Sequence, residues 1–276
     1  MGKLKEIVKI EFITSKKVPI LKILYMQKEV DLSISNYGTV KGEKYDLVIL
    51  PWGATEPHNY HLPYLTDSYL SHDISVEAAL FAKKLFNVNC MVLPTINLGS
   101  QNPGQRELTF CLHVRYETQK AILTDIVSSL YVQGFRRMLL VNSHGGNCFK
   151  NMVRDLSMEF PDFIIALSDL FNVLPLENYF EEDGDHANEF ETSVIMHYHP
   201  ELVELDKAGD GKSKPFAIQS VNEKVAWIPR NWQKVSADTG IGNPKKSTAA
   251  KGERYSHDLV EKYAKLFFEL AKGEIY

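Results

Sequence analysis

Three short segments carry most of the side chains able to do chemistry: PWGATEPHNYHLPYLTD at 51–67, SHGGN at 143–147 and GDHANEFETS at 184–193. Between them they hold Glu56, His58, Asp67, His144, His186 and Glu191. Neutral imidazoles and carboxylates converging from separate loops, with one carboxylate free to bridge, are what a hydrolytic metal site requires. Glu56-Pro57-His58, if extended, sends both side chains the same way, because i and i+2 share a face. Asp67 returns nine residues after His58, beyond Pro63, and has two oxygens to offer to two cations.

Each residue also has an ordinary role open to it. Asp67 stands before a predicted helix and could cap it, with Asp73 and Glu77 solvated further along. Asn188 followed three residues later by Glu191 reads as a capping box for EFETSVIMHY. His144-Gly145-Gly146 could be a strand-to-helix turn with positive φ at the glycines and Asn147 capping the next helix. A phosphate could dock on such a turn, but the Walker lysine pattern is missing. His61, His72, His113, His197, His199 and His257 have no informative spacing and read as surface or supporting residues. Cys148 reads as a small buried hydrophobe.

Apolar runs that read as strands precede these loops. DLVILP (46–51), CMVLPT (90–95), RMLLVN (137–142) and FIIALSD (163–169) alternate with helical periodicity, the pattern of a parallel α/β sheet. Ile74, Ala78, Phe81 and Leu85 form one helical stripe, and Ile122, Ile126 and Leu130 another. A last helix from about Tyr255 carries Leu259, Tyr263, Phe267 and Leu270 and ends at Gly273. In such sheets the crevice lies at the carboxyl ends of the strands, where the polar segments emerge. Residues 205–247 break the alternation and read as a long excursion, with a small hairpin and a lid in which Trp227 or Trp232 could cover a substrate.

With 276 residues, 44% hydrophobic and 24% charged, the chain can bury one large core, and a single domain over 1–276 is expected. A net charge of −4 with acids and bases interspersed argues against nucleic acid or anionic lipid partners, leaving a small molecule. MGKLKEIVKIEF lacks the apolar core of a signal peptide, Glu6 argues against myristoylation, and no run approaches a membrane span. Three scattered cysteines suit reduced thiols in the cytoplasm.

In wording and order, PWGATEPHNYHLPYLTD, VNSHGGN, HANEFETS and TGIGNPKKSTAAKGE resemble the creatininase (creatinine amidohydrolase) family, from about Leu47 to the last helix. The resemblance implies a three-layer α/β/α sandwich around a mainly parallel sheet, two divalent metal ions per chain, hydrolysis of non-peptide C–N bonds and a homohexamer. Glu56, Asp67 and His144 would hold one ion, and His58 and Asp67 the other, with Asp67 bridging. His186 matches the histidine that transfers a proton near the substrate, and Glu191 the acidic residue five positions on. Where creatininase proper has a glutamate ligand two residues beyond the motif histidine, this chain has Gly146, as HGGN-type members do; Glu191 is expected to supply the missing ligand. Gln105 and Arg106 within NPGQRELTFCL replace the wording usual there, which points away from creatinine itself.

The expected activity is therefore metal-dependent cleavage of a cyclic amide or formamide by a water activated between two ions, Zn²⁺ first, with Mn²⁺ or Fe²⁺ compatible with the same ligands. The alternatives are a metallopeptidase that trims a modified peptide, or a non-catalytic homologue that keeps the metals.

Overall fold

The computed structural model describes residues 26–276, so the readings of the first twelve residues lie outside it. Four parallel strands, β1 (Leu47–Trp52), β2 (Cys90–Val92), β3 (Arg137–Asn142) and β4 (Ile164–Asp169), form a sheet in the order β2-β1-β3-β4. All four match the apolar runs to within a few residues. Continuous apolar strands follow from burial on both faces. In β1, Leu47 and Ile49 point into one core, while Val48, Leu50 and Trp52 point into the other.

Helices α1 (Thr66–Phe86), α4 (Glu189–Tyr198) and α5 (Ala249–Lys272) cover the first face, and α2 (Tyr116–Val132) and α3 (Lys150–Glu159) the second. The result is a three-layer α/β/α sandwich. α5 starts six residues earlier than its apolar stripe suggests, because Thr248 caps it by accepting the Lys251 N–H. Tyr255, Leu259, Val260, Tyr263 and Phe267 are buried along it, each contributing about 1.5–3 kcal/mol for the large side chains. Its Gly252 lets the helix press on α4: a Cβ there would lie 1.9 Å from the Ser193 carbonyl.

Two stripes are rotated from expectation. In α1, Ile74 and Ala78 are buried but Leu85 is exposed. In α2 the buried line is Gln119, Leu123, Val127 and Leu130, with Ile122 and Ile126 only half-buried beside it. The apolar residues of α2 are dense enough to allow either phase, and sheet packing selects the one led by Leu123.

β1 connects outward to β2 on one side and pairs with β3 on the other, so the sheet reverses its winding between β1 and β3. Trp52 is in register with Asn142 at their ends. The first two polar segments therefore leave the sheet side by side, at the switch point where such folds bind ligands. The third arrives on β5 (Gly184–His186), which pairs antiparallel with β6 (Ile241–Gly242). The 205–247 excursion contributes β6 and short helices at Gln219–Asn222 and Trp232–Val235. Among the described residues no helix is long and apolar enough to cross a membrane.

Candidate metal centre

Glu56, His58, Asp67, His144, His186 and Glu191 converge in one enclosed space, none more than 7% exposed. Potential ligand atoms of Glu56, Asp67 and His144 lie within 4.8 Å of one another, as do those of His58, Asp67 and Glu191. Asp67 belongs to both groups. Its Oδ2 is 3.1 Å from His144 Nδ1 and its Oδ1 3.2 Å from His58 Nε2. Glu56 Oε1 completes the first group, 2.9 Å from His144 Nδ1. A third group joins Glu56 and His58 to His186, whose Nδ1 is 3.7 Å from Glu56 Oε1.

Each imidazole is aimed by its other nitrogen. His144 Nε2–H donates to the Ser100 carbonyl at 2.8 Å, His58 Nδ1–H to the Glu56 carbonyl at 3.1 Å and His186 Nε2–H to the Pro57 carbonyl at 2.9 Å. A backbone acceptor on the outer nitrogen selects the tautomer and leaves the inner lone pair free, the arrangement typical of metal-ligating histidines. Among the carboxylates, Glu56 accepts from the Gln105 amide and Glu191 from the Ala187 N–H.

Burial opposes every charge here, and pairing decides the outcome. Burial alone would depress His58 and His144, but Asp67 and Glu56 outweigh it, holding His58 up at about 9 and His144 well above its ordinary value. Burial likewise works against the anions of Asp67 and Glu56, yet the same imidazoles pull both below the usual carboxylate range. Glu191 goes the other way: burial, reinforced by Asp67, pushes it to about 8 despite His58. His186 is lowered by burial and by the charge of His58, which favours neutral imidazole. Protons on His58 and His144 thus balance buried carboxylates at the positions where cations would do so.

Asp67 is no N-cap: Leu65 holds that position without a side-chain bond, and Asp67 sits in the first turn, where the helix dipole favours its charge. Asn188 does cap α4 by accepting the Glu191 N–H, but the Glu191 carboxylate reaches Ala187 instead of closing the box on Asn188. Neither Gly145 nor Gly146 has positive φ, and Asn147 caps nothing. Its side chain instead accepts from Ser100 N–H and Gln119, tying the 98–115 loop and α2 to the turn after β3. Gly146 is required by space: a Cβ would lie 2.0 Å from the Ser100 carbonyl oxygen and 2.6 Å from His144 Nε2. Asp73 and Glu77 are not simply solvated, since they accept from His199 and the Tyr198 hydroxyl. Cys148 is exposed, not buried.

Trp232 is buried and sets its ring edge-on to His186 at 5.1 Å, whereas Trp227 is 82% exposed. The sequence did not single out His61, which is buried and bonded to Thr192 on α4, nor Asn142, whose side chain bonds Asp169 and the His144 backbone. An asparagine closing an apolar strand was the available signal for the second.

The creatininase family model, described as creatinine amidohydrolase, matches residues 32–267. The chain belongs to the creatininase family. A crystal structure of a Bacteroides fragilis protein provisionally named creatinine amidohydrolase is 63% identical, covers 90% of this chain and 99% of its own, and superposes with a TM-score of 0.89. The mycofactocin precursor peptide peptidase of Mycobacterium ulcerans is 26% identical over 222 residues, 78% of this chain and 81% of that protein. Creatinine amidohydrolase of Pseudomonas putida is 22% identical over 228 residues, 75% and 83% of the two chains. Solved creatininases share the fold. A mutant of Zn–Zn type has 22% identity and a TM-score of 0.66, covering 81% of this chain and 90% of its own. A form named Mn has 20% and 0.67, covering 87% and 98%.

Proposed function

We propose that this chain is a metal-dependent amidohydrolase that cleaves a non-peptide C–N bond, in a cyclic amide or formamide, of a small molecule. The observation that carries this reading is the division of Asp67 between two ligand groups. The donor set fits divalent ions: three carboxylates and the inward-facing nitrogens of two imidazoles are buried together, and bound cations would replace the protons that balance those carboxylates. Glu56, Asp67 and His144 would hold one ion, and His58, Asp67 and Glu191 the other, with Asp67 bridging. Zn²⁺ suits this mixture of nitrogen and oxygen ligands, and Mn²⁺ and Fe²⁺ tolerate it. The zinc and manganese forms of solved creatininases support the same choice. When bound, such ions supply a water acidified to about 7 and an electrophile for the carbonyl oxygen.

The remaining work falls to His186. Its Nδ1 faces the centre as a neutral base, able to take a proton from the attacking water and return it to the departing nitrogen, which would otherwise leave as an amide anion. Pro57 and Trp232 hold the ring in place. Gly146 supports Glu191 as the ligand of the second ion, because no side chain can occupy position 146 without displacing Ser100 or His144. The homohexamer, the cytoplasmic location and the single-domain organisation belong to the same reading.

Similarity to the mycofactocin precursor peptidases supports a second reading, a metallopeptidase trimming a modified peptide. A hydrolysis screen of metal-replete protein over cyclic amides, formamides and short peptides separates the two. Turnover of a cyclic amide or formamide is expected; turnover of peptides alone would favour the second reading, and no turnover would refute both.

A further inference from the structure

The chain's arginines fall into two classes. Arg136, Arg137 and Arg254 donate to backbone carbonyls, Arg154 to Asn151, and Arg230 pairs with Asp185. Arg106 and Arg115 alone have no hydrogen-bond or carboxylate partner among the described residues. Both are exposed and line the same cavity, open to solvent and of about 660 Å³, together with Leu98, Cys111, His113 and Thr118. No carboxylate lines it. Glu107, whose charge reaches Cys111, forms an ion pair with neither arginine.

The segment that lines the cavity also braces the metal centre. Gln105, next to Arg106, donates its amide to Glu56, and Leu112 N–H bonds the Thr55 carbonyl at 3.0 Å. Ser100, which aims His144, is followed by Gln101, whose N–H donates to His113 Nδ1 at 2.9 Å. That bond leaves His113 Nε2–H as the donor not committed to the backbone, and burial with the two arginines lowers the imidazole's pKa, favouring this neutral form. The Thr118 hydroxyl adds a polar group. Two unpaired guanidinium forks beside neutral donors match the planar oxygens of a carboxylate or phosphate, which arginine binds bidentately.

We infer that the cavity between Arg106, His113 and Arg115 is an anion subsite that binds a carboxylate or phosphate carried by the substrate beside the Glu56 side of the centre. Anion binding stands on this geometry alone; the assignment to substrate rests on the hydrolase reading. The anion would anchor the molecule and present its scissile bond to the buried groups, so charge on the substrate becomes a determinant of specificity. The sequence singled out Arg106 as a departure from the usual wording of this segment, and its use in the subsite accounts for that departure.

Two measurements test this on intact, metal-replete protein. Titration calorimetry with inorganic phosphate should show binding that weakens by roughly ten- to a hundred-fold in R106Q/R115Q, the loss of charge-assisted bonds. Phosphate bound at the metals instead would survive in that variant, and equal affinities would overturn the proposal. Formamides bearing a carboxylate are then compared with their carboxamide isosteres; the kcat/KM ratio of the pair should fall at least about ten-fold in the variant. An unchanged ratio, with phosphate binding lost, would assign the subsite to a free anion and overturn the substrate role. Absence of phosphate binding in the wild type, with a changed assembly mass in R106Q/R115Q, would overturn the subsite and assign both arginines to a subunit contact. If no formamide is turned over, the hydrolase reading and the substrate role fall together, while the calorimetry still decides whether the cavity binds anions.

Discussion

Gly145 and Gly146 are neighbours with opposite surroundings, and their alanine variants should behave oppositely. A Cβ at Gly146 would lie 2.0 Å from the Ser100 oxygen and 2.6 Å from His144 Nε2, whereas one at Gly145 meets nothing within 4 Å. An ordinary carbon–oxygen approach is about 3.3 Å, so Gly146→Ala must push Ser100 or His144 away by roughly 1 Å. The contact sacrificed is the 2.8 Å bond that aims His144. Losing such an outer partner typically lowers metal affinity by about 10–100-fold, and the overpacking costs about 1–3 kcal/mol of stability. Gly145→Ala meets neither penalty, since neither glycine has positive φ. Competition with a chromophoric zinc chelator, alongside urea midpoints, measures both effects. Equal zinc affinity in the two variants would refute the claim that Ser100 orients a ligand.

Glu191→Gln keeps an acceptor for Ala187 N–H but loses the charge, so the fold should hold while roughly one of two bound ions is lost; unchanged metal content would return Glu191 to a structural role. His186→Ala should retain both ions yet lower kcat by about 10²-fold or more; loss of an ion would make His186 a ligand, and wild-type kcat would remove it from proton transfer. His199 is raised by its 2.7 Å bond to Asp73, and His72 by Asp31 despite burial. Because these folded values exceed the unfolded one, their stabilisation is complete below about pH 6.5 and lost as pH rises through the folded values. Urea unfolding at about pH 6 and about pH 8 should show a smaller difference in His199→Gln than in the wild type, and an equal difference would contradict this linkage.

The strands were legible because burial on both faces leaves continuous apolar runs, and the ligand candidates because each follows such a run. What the sequence left open depended on three-dimensional context. Asp67 and Glu191 sit at helix starts in either reading, and only the packing of β1 against β3 shows that Asp67 faces inward instead of capping. The phase of α2 could not be read where Ile122, Leu123, Ile126 and Val127 alternate so closely. Gly146 read as a flexible turn residue, whereas its constraint is the proximity of Ser100, a residue 46 positions away. Trp232 and Trp227 lie five residues apart on one excursion, and nothing in their neighbours predicts that the first packs on His186 while the second faces solvent.

Asp67 is proposed to bridge two ions, one held with Glu56 and His144 and the other with His58 and Glu191. Elemental analysis of chelator-stripped protein resupplied with zinc tests it directly. About two ions per chain are expected in the wild type, falling at both positions in Asp67→Asn. Protein that binds no zinc, or an Asp67→Asn variant that keeps the full complement, would contradict it.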